Sequence, residues 1–139
     1  MSDSATPVPK EFARLLLAYE VASDKPADAK DSVAFRVCEK LRGPLGKLMG
    51  VDGFRSLLSR ALALACGEVP WLCSLEIKAD GSLVGLDELE AKRDSRAVAE
   101  GEAILAGQLL GLLVIFIGPA LTLRLLHDIW PSWTIEILE

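Results

Sequence analysis

The side chains that could do chemistry in this 139-residue sequence are few and scattered. There is one histidine, His127, and it sits beside Asp128. Nucleophilic catalysis by serine or cysteine needs a histidine close to the nucleophile and a third group to orient it. His127 lies at the end of an apolar stretch, where a histidine interacts with the last helical carbonyls, and that reading takes precedence. Cys38, Cys66 and Cys73 are odd in number and form no CxxC pair. They are expected to be buried thiols of a reducing compartment, not a disulfide framework or a zinc site. Asp80-Gly81-Ser82 looks like the opening of a calcium loop but lacks the further carboxylates and the terminal Glu, so it reads as a turn. The glycines follow neither a GxGxxG nor a Walker pattern. Asp87, Glu88 and Glu90, and Glu100 and Glu102, have no companion groups that would make them acid–base catalysts, and read as solvated helix faces. The expectation is no catalytic residue, no metal ligand, no cofactor, and no enzyme.

Charge narrows the partners. The net charge is −5, which opposes nucleic-acid binding, because neutralising phosphates requires a basic field. The charge is uneven: residues 36–67 sum to +4 and residues 68–102 to −5. Arg36, Arg55 and Arg60 belong to the basic segment and are candidates for an anion or partner surface. The simpler expectation is that the basic segment complements the acidic one inside the fold. Trp71, between Pro70 and Leu72, is the candidate hot spot, although core packing is the stronger reading for a tryptophan there.

The elements that would position these residues are mainly helical. MSDSATP (residues 1–7) is small and polar and is expected to be disordered, with residues 8–139 forming one helical domain; the N-terminus shows no signal peptide, and the expected location is cytoplasmic. Phe12, Leu15, Leu16 and Tyr19 recur at helical spacing and predict an amphipathic helix ending near Ala22, with Glu20 off its apolar face. A second helix is expected to begin at Asp28 or Asp31, carry Val33, Val37, Cys38 and Leu41, and be interrupted at Gly43-Pro44; Leu45, Leu48 and Met49 give one more short turn before Gly50–Gly53 resets the direction. A third spans Gly53–Cys66, with Phe54, Leu57, Leu58, Ala61 and Ala65 on one face. Alternation around Leu75–Ile77, then Asp80-Gly81 and Leu83-Val84, predicts a small β-hairpin near 75–84. Residues 85–91 start a further helical turn. Leu121, Arg124, Leu125 and Asp128 predict a final amphipathic helix, and residues 134–138 favour strand.

The bundle is expected to form around Ala103–Leu123, which is 21 residues without a charge and apolar on every side. Gly107 and Gly111 form a GxxxG pair that allows close helix approach, and so mark a possible helix–helix interface. The stretch is long enough to cross a bilayer, and Trp130 and Trp133 could serve as interfacial anchors. Gly118-Pro119 divides it, however, and the piece before the division spans only about 24 Å at ~1.5 Å per residue. No Lys/Arg cluster flanks either end. A bent core helix is therefore the reading adopted, with membrane insertion of residues 103–123 as the alternative.

The combination of FRVCEKLRGPL, GFRSLLSRALALA, EVPWL, KADGSLVGLDEL and LLGLLVIFIGPALTLRLL resembles a group of uncharacterised small bacterial helical proteins over most of residues 35–130. That resemblance implies a bacterial source and brings no activity, cofactor or site residue. The function expected from the residues is a protein–protein interaction or assembly module, self-associating or bound to a larger protein. An enzyme, third in order, would need a pocket lined by some of Arg36, Arg55, Arg60, Glu68 and Trp71.

Overall fold

The computed structural model describes residues 10–23 and 32–131. They form a mainly α bundle with one two-stranded hairpin: α1 (Lys10–Ser23), α2 (Val33–Glu68), a 3-10 turn (Pro70–Ser74), β1 (Glu76–Ile77), β2 (Leu83–Val84), α3 (Leu86–Ala91), α4 (Ser95–Ile117) and α5 (Pro119–Ile129). The expected disorder of residues 1–7, the caps proposed at Asp28 and Asp31, Trp133 and the strand at 134–138 all lie outside the described residues.

Helix α4 is the core. Ala103 to Ala106 are buried in succession, followed by Gly107, Leu109, Leu110, Gly111 and Leu113, so the middle of the helix is enclosed by α1, α2 and α5. Its uncharged composition from Ala103 onward follows from this placement, since an enclosed helix has little room for unpaired charge. At Gly118 the backbone turns to φ 88, a conformation that costs glycine little, and Pro119 opens α5 where its missing N–H is harmless. The expected bend at Gly118-Pro119 is therefore present.

Helix α2 departs from expectation. It begins at Val33 with Ser32 as cap, the Ser32 hydroxyl accepting from the Phe35 N–H. It runs through Pro44 without interruption and breaks at Gly50, where φ is 82. Part of the cost of an internal proline is a clash with the Cβ of the residue before it, and Gly43 has none, so that part is absent here. The stripes on either side of the break, Ala34, Val37, Cys38, Leu41 and Leu45, then Phe54, Leu58, Ala61 and Ala65, both face the core. The hairpin has the expected position, with Ile77 opposite Leu83. It is tied back to α2 by Arg55 Nε donating to the Lys78 carbonyl at 3.0 Å and an Arg42 guanidinium N–H to that of Asp80 at 3.4 Å.

In α1 the buried face is Phe12, Ala13, Leu16, Leu17 and Glu20, while Leu15 is half exposed. Glu20 was expected off this face and is instead fully buried. Its carboxylate accepts from Trp130 Nε1 and Lys40 Nζ, both at 2.8 Å, and from Arg36 Nε at 3.3 Å. Lys40 also stands 5.9 Å over the Trp130 ring. Trp130 is thus a buried clasp and not an exposed interfacial anchor. Glu20→Ala removes the acceptor these three donors share and should cost about 3 kcal/mol in chemical denaturation, the scale of breaking a buried ion pair from one side. Trp130→Phe, which removes only the N–H, should cost about 1 kcal/mol by the same measurement.

Candidate functional site

The structure does not gather the residues that the sequence singled out. Arg36 is turned inward to Glu20, its side chain 11% exposed, so it does not share an open surface with Arg55 and Arg60. Arg55 lies against the hairpin, and Arg60 is exposed on α2. Glu68 accepts from Gln108 at 3.0 Å. His127 is exposed in the last turn of α5. Gly107 packs inside the chain: a Cβ there would stand 3.8 Å from Ala13 of α1, so α1 fills that close-approach face, and Gly111 is buried beside it.

Trp71 sits in the 3-10 turn, half buried, with the Arg93 guanidinium 4.8 Å from its ring centroid. The benzo part of its indole lies against α4 at Gly101, where a Cβ would run into the ring. The turn is fastened by a disulfide between Cys66, at the end of α2, and Cys73. This overturns the expectation of three buried thiols. Only Cys38 is buried and free, with burial and the neighbouring Glu39 pushing its thiol up to about 12, which leaves it unreactive. The pairing was illegible because the reversal at Pro70 is what brings the two sulfurs together.

What the surface offers instead is apolar. Between α2 and α5 runs an open groove of about 400 Å³ lined by Pro44, Lys47, Leu48, Leu121, Arg124, Leu125 and Asp128. A second groove of similar size, lined by Arg42, Gly43, Gly46, Val51, Phe54 and Asp80 among others, shares Lys47 with it. Pro44, Leu48 and Val51 follow one another at i, i+4 and i+7, which places them on one face of a continuous helix; the break at Gly50 falls before the last. Leu48 and Val51 are each 50% exposed and Leu121 41%. At the end of α4, just before the bend, Ile115 and Phe116 are 66% and 63% exposed. α5 turns Thr122 and Leu126 to the core, which leaves Leu121 and Leu125 to the groove. The sequence marked the four α5 residues of this groove as one amphipathic helix and Leu48 as part of a short separate turn, and the assumed break at Gly43-Pro44 hid the continuous α2 face opposite them.

The arrangement leaves apolar side chains open to solvent along a groove and presents no nucleophile–base pair among the described residues. None of the described residues forms a group of three or more His, Cys, Asp or Glu that could hold a metal ion. Comparisons with protein families, curated proteins and solved structures find no match for this chain.

Two outcomes test the Trp71 contact. Gly101→Ala forces the indole off α4 and should destabilise the fold by about 1–3 kcal/mol, read from the denaturation midpoint. Replacing Cys66 and Cys73 by Ser reopens a short loop and should cost about 2.5 kcal/mol on the chain-entropy account.

Proposed function

We propose that this chain is a non-enzymatic assembly module that takes up a protein partner, or a second copy of itself, on the α2–α5 groove and the α4–α5 corner. The observation that carries the reading is the pair Ile115 and Phe116, two large apolar neighbours exposed by 66% and 63% in a domain that otherwise buries its long apolar helix. Isolated exposed leucines are ordinary, whereas a run of exposed large side chains beside an apolar groove marks an interaction surface. Lys47 and Arg124, one on each wall, make no ion pair among the described residues and give the groove a polar rim.

Membrane association remains the second reading, because α4 is 23 residues long with a mean hydropathy of 1.7 over its most apolar window. Against it, 61% of that window is already buried inside the domain, so insertion of residues 103–123 would require stripping the core from its own helix. Insertion of the Ile115-Phe116 corner alone would not.

Sedimentation over a range of concentrations, together with flotation on anionic vesicles, separates the readings. The wild type is expected to self-associate, or to capture a partner that co-purifies with it. Ile115→Ser/Phe116→Ser and Leu48→Ser/Leu121→Ser should each weaken that association at least about tenfold, while stability at these exposed sites shifts by only about 0.5 kcal/mol per site. A strictly monomeric wild type that captures nothing overturns the proposal, and flotation abolished by the Ile115/Phe116 pair replaces it with the membrane reading.

A further inference from the structure

A second polar cluster stands apart from the proposed docking face, where α2 begins. The Ser32 backbone N–H donates to Asp87 Oδ1 at 2.8 Å. The Ser32 hydroxyl lies 3.1 Å from Glu90 Oε2 and 2.9 Å from Glu102 Oε2, and it accepts from the Phe35 N–H at 3.3 Å. Ser32 and Glu102 are buried, and Glu90 is half buried. Glu90 and Glu102, which by sequence alone read as solvated helix faces, are brought together by the fold from α3 and α4.

A count of hydrogens decides how this cluster is held. A serine hydroxyl has one proton and two lone pairs. One lone pair takes the Phe35 N–H, and the proton can satisfy only one of the two carboxyl groups. The other contact is a hydrogen bond only if that carboxyl brings its own proton. We propose that Ser32, Glu90 and Glu102 form a proton-held clamp, in which a proton retained on Glu90 ties α3 to α2 and α4 and its loss on alkalinisation releases α3.

Among the described residues, the charges that act on Glu90 push one way: α3 contributes Asp87 and α4 contributes Glu102, while the Ser32 hydroxyl at the cap of α2 works in the opposite direction. The nearest base along α2, Arg36, is turned to Glu20. The positive end of α2 offsets part of the negative charge, since a helix N-terminus carries roughly half a unit. Burial first, then the hydrogen bond and charge of Glu102, raise the Glu90 carboxyl from 4.5 to about 8. The fold thus favours the protonated acid. Its contribution is complete below about 4.5, declines as pH rises, and is lost through about 8. On loss, the proton passes to water, and two carboxylates compete for the one hydroxyl hydrogen, with only the Ala34 N–H, 3.5 Å from Glu102 Oε2, as a further donor among the described contacts.

The element set to yield is α3. Its six residues, Leu86–Ala91, are too few to persist alone, because a short helix depends on its contacts. It is held by buried Leu86, by half-buried Leu89 and by this cluster. It also borders a small cavity of about 170 Å³ between Phe35 and the hairpin, lined by Leu83, Val84, Leu86, Asp87 and Glu88. Release of α3 would open that cavity and uncover Leu83 and Leu86.

The test uses the full chain, with thermal unfolding from pH 5 to pH 9 and infrared spectroscopy at neutral pH. The wild type should lose at least about 5 °C of Tm across that range. Glu90→Gln, which mimics the protonated acid, should flatten the loss, whereas Glu88→Gln on the exposed side of α3 should keep it. The wild-type infrared spectrum should contain a protonated-carboxyl band that Glu90→Gln lacks. An apolar dye should bind the wild type more strongly at pH 9 than at pH 6 while far-ultraviolet helicity is largely kept. A Glu90→Gln profile that follows the wild type, or a wild type without the carboxyl band, overturns the clamp.

Discussion

One buried carboxylate sets the arrangement of the helices. Glu20 is inaccessible to water, so its charge must be answered by donors within the fold, and the donors come from two other places: Arg36 and Lys40 on α2, and Trp130 at the end of α5. Apolar surfaces can slide over one another at little cost, but a charge with three directed partners cannot. The contact therefore fixes how α1 and α5 lie on α2, and it does so beside the core helix α4. With α1 held in this way, Ala13 meets Gly107, and the small-residue face of α4 is closed from within the chain.

The consequence for function is a division of surfaces. α4 is largely consumed by packing from Gly101 to Leu113; it meets water in its first turns, at Ser95, Arg96 and Ala99, and again at its final turn, where Ile115 and Phe116 emerge before the Gly118 bend. α5 must turn Thr122 and Leu126 inward to seat Trp130, and so presents Leu121 and Leu125 outward to α2. The apolar face left open is thus a by-product of the same geometry that satisfies Glu20. At the cap of this same end of α2, the Ser32 cluster solves the opposite problem. It brings together carboxyl groups without a basic partner among the described residues, and a proton does the work that Arg36 and Lys40 do at Glu20.

Much of the fold was legible because it follows from local chemistry. The hairpin follows from Asp80-Gly81 between alternating residues, the bend from Gly118-Pro119, and the burial of α4 from its uncharged length. Pro44 misled, because part of its cost depends on the residue before it, and Gly43 removes that part. Glu20 also misled: a charged residue is normally assigned to solvent, although the spacing Ala13, Leu16, Leu17, Glu20 did mark it as part of the buried face. No comparable signal existed for Cys66 and Cys73, or for Ser32 with Glu90 and Glu102, whose members lie as many as 70 residues apart in sequence.

By itself, then, the sequence determined the helical class, the hairpin, the bent apolar helix and the absence of recognised catalytic motifs, since periodicity, turn chemistry and composition act over a few neighbouring residues. Tertiary structure alone decided which charges are buried, which cysteines pair, that α1 and not a second subunit covers Gly107, and that the open apolar face lies between α2 and α5. Those outcomes depend on which elements meet and at what register, and a pattern read along one helix does not contain its neighbour.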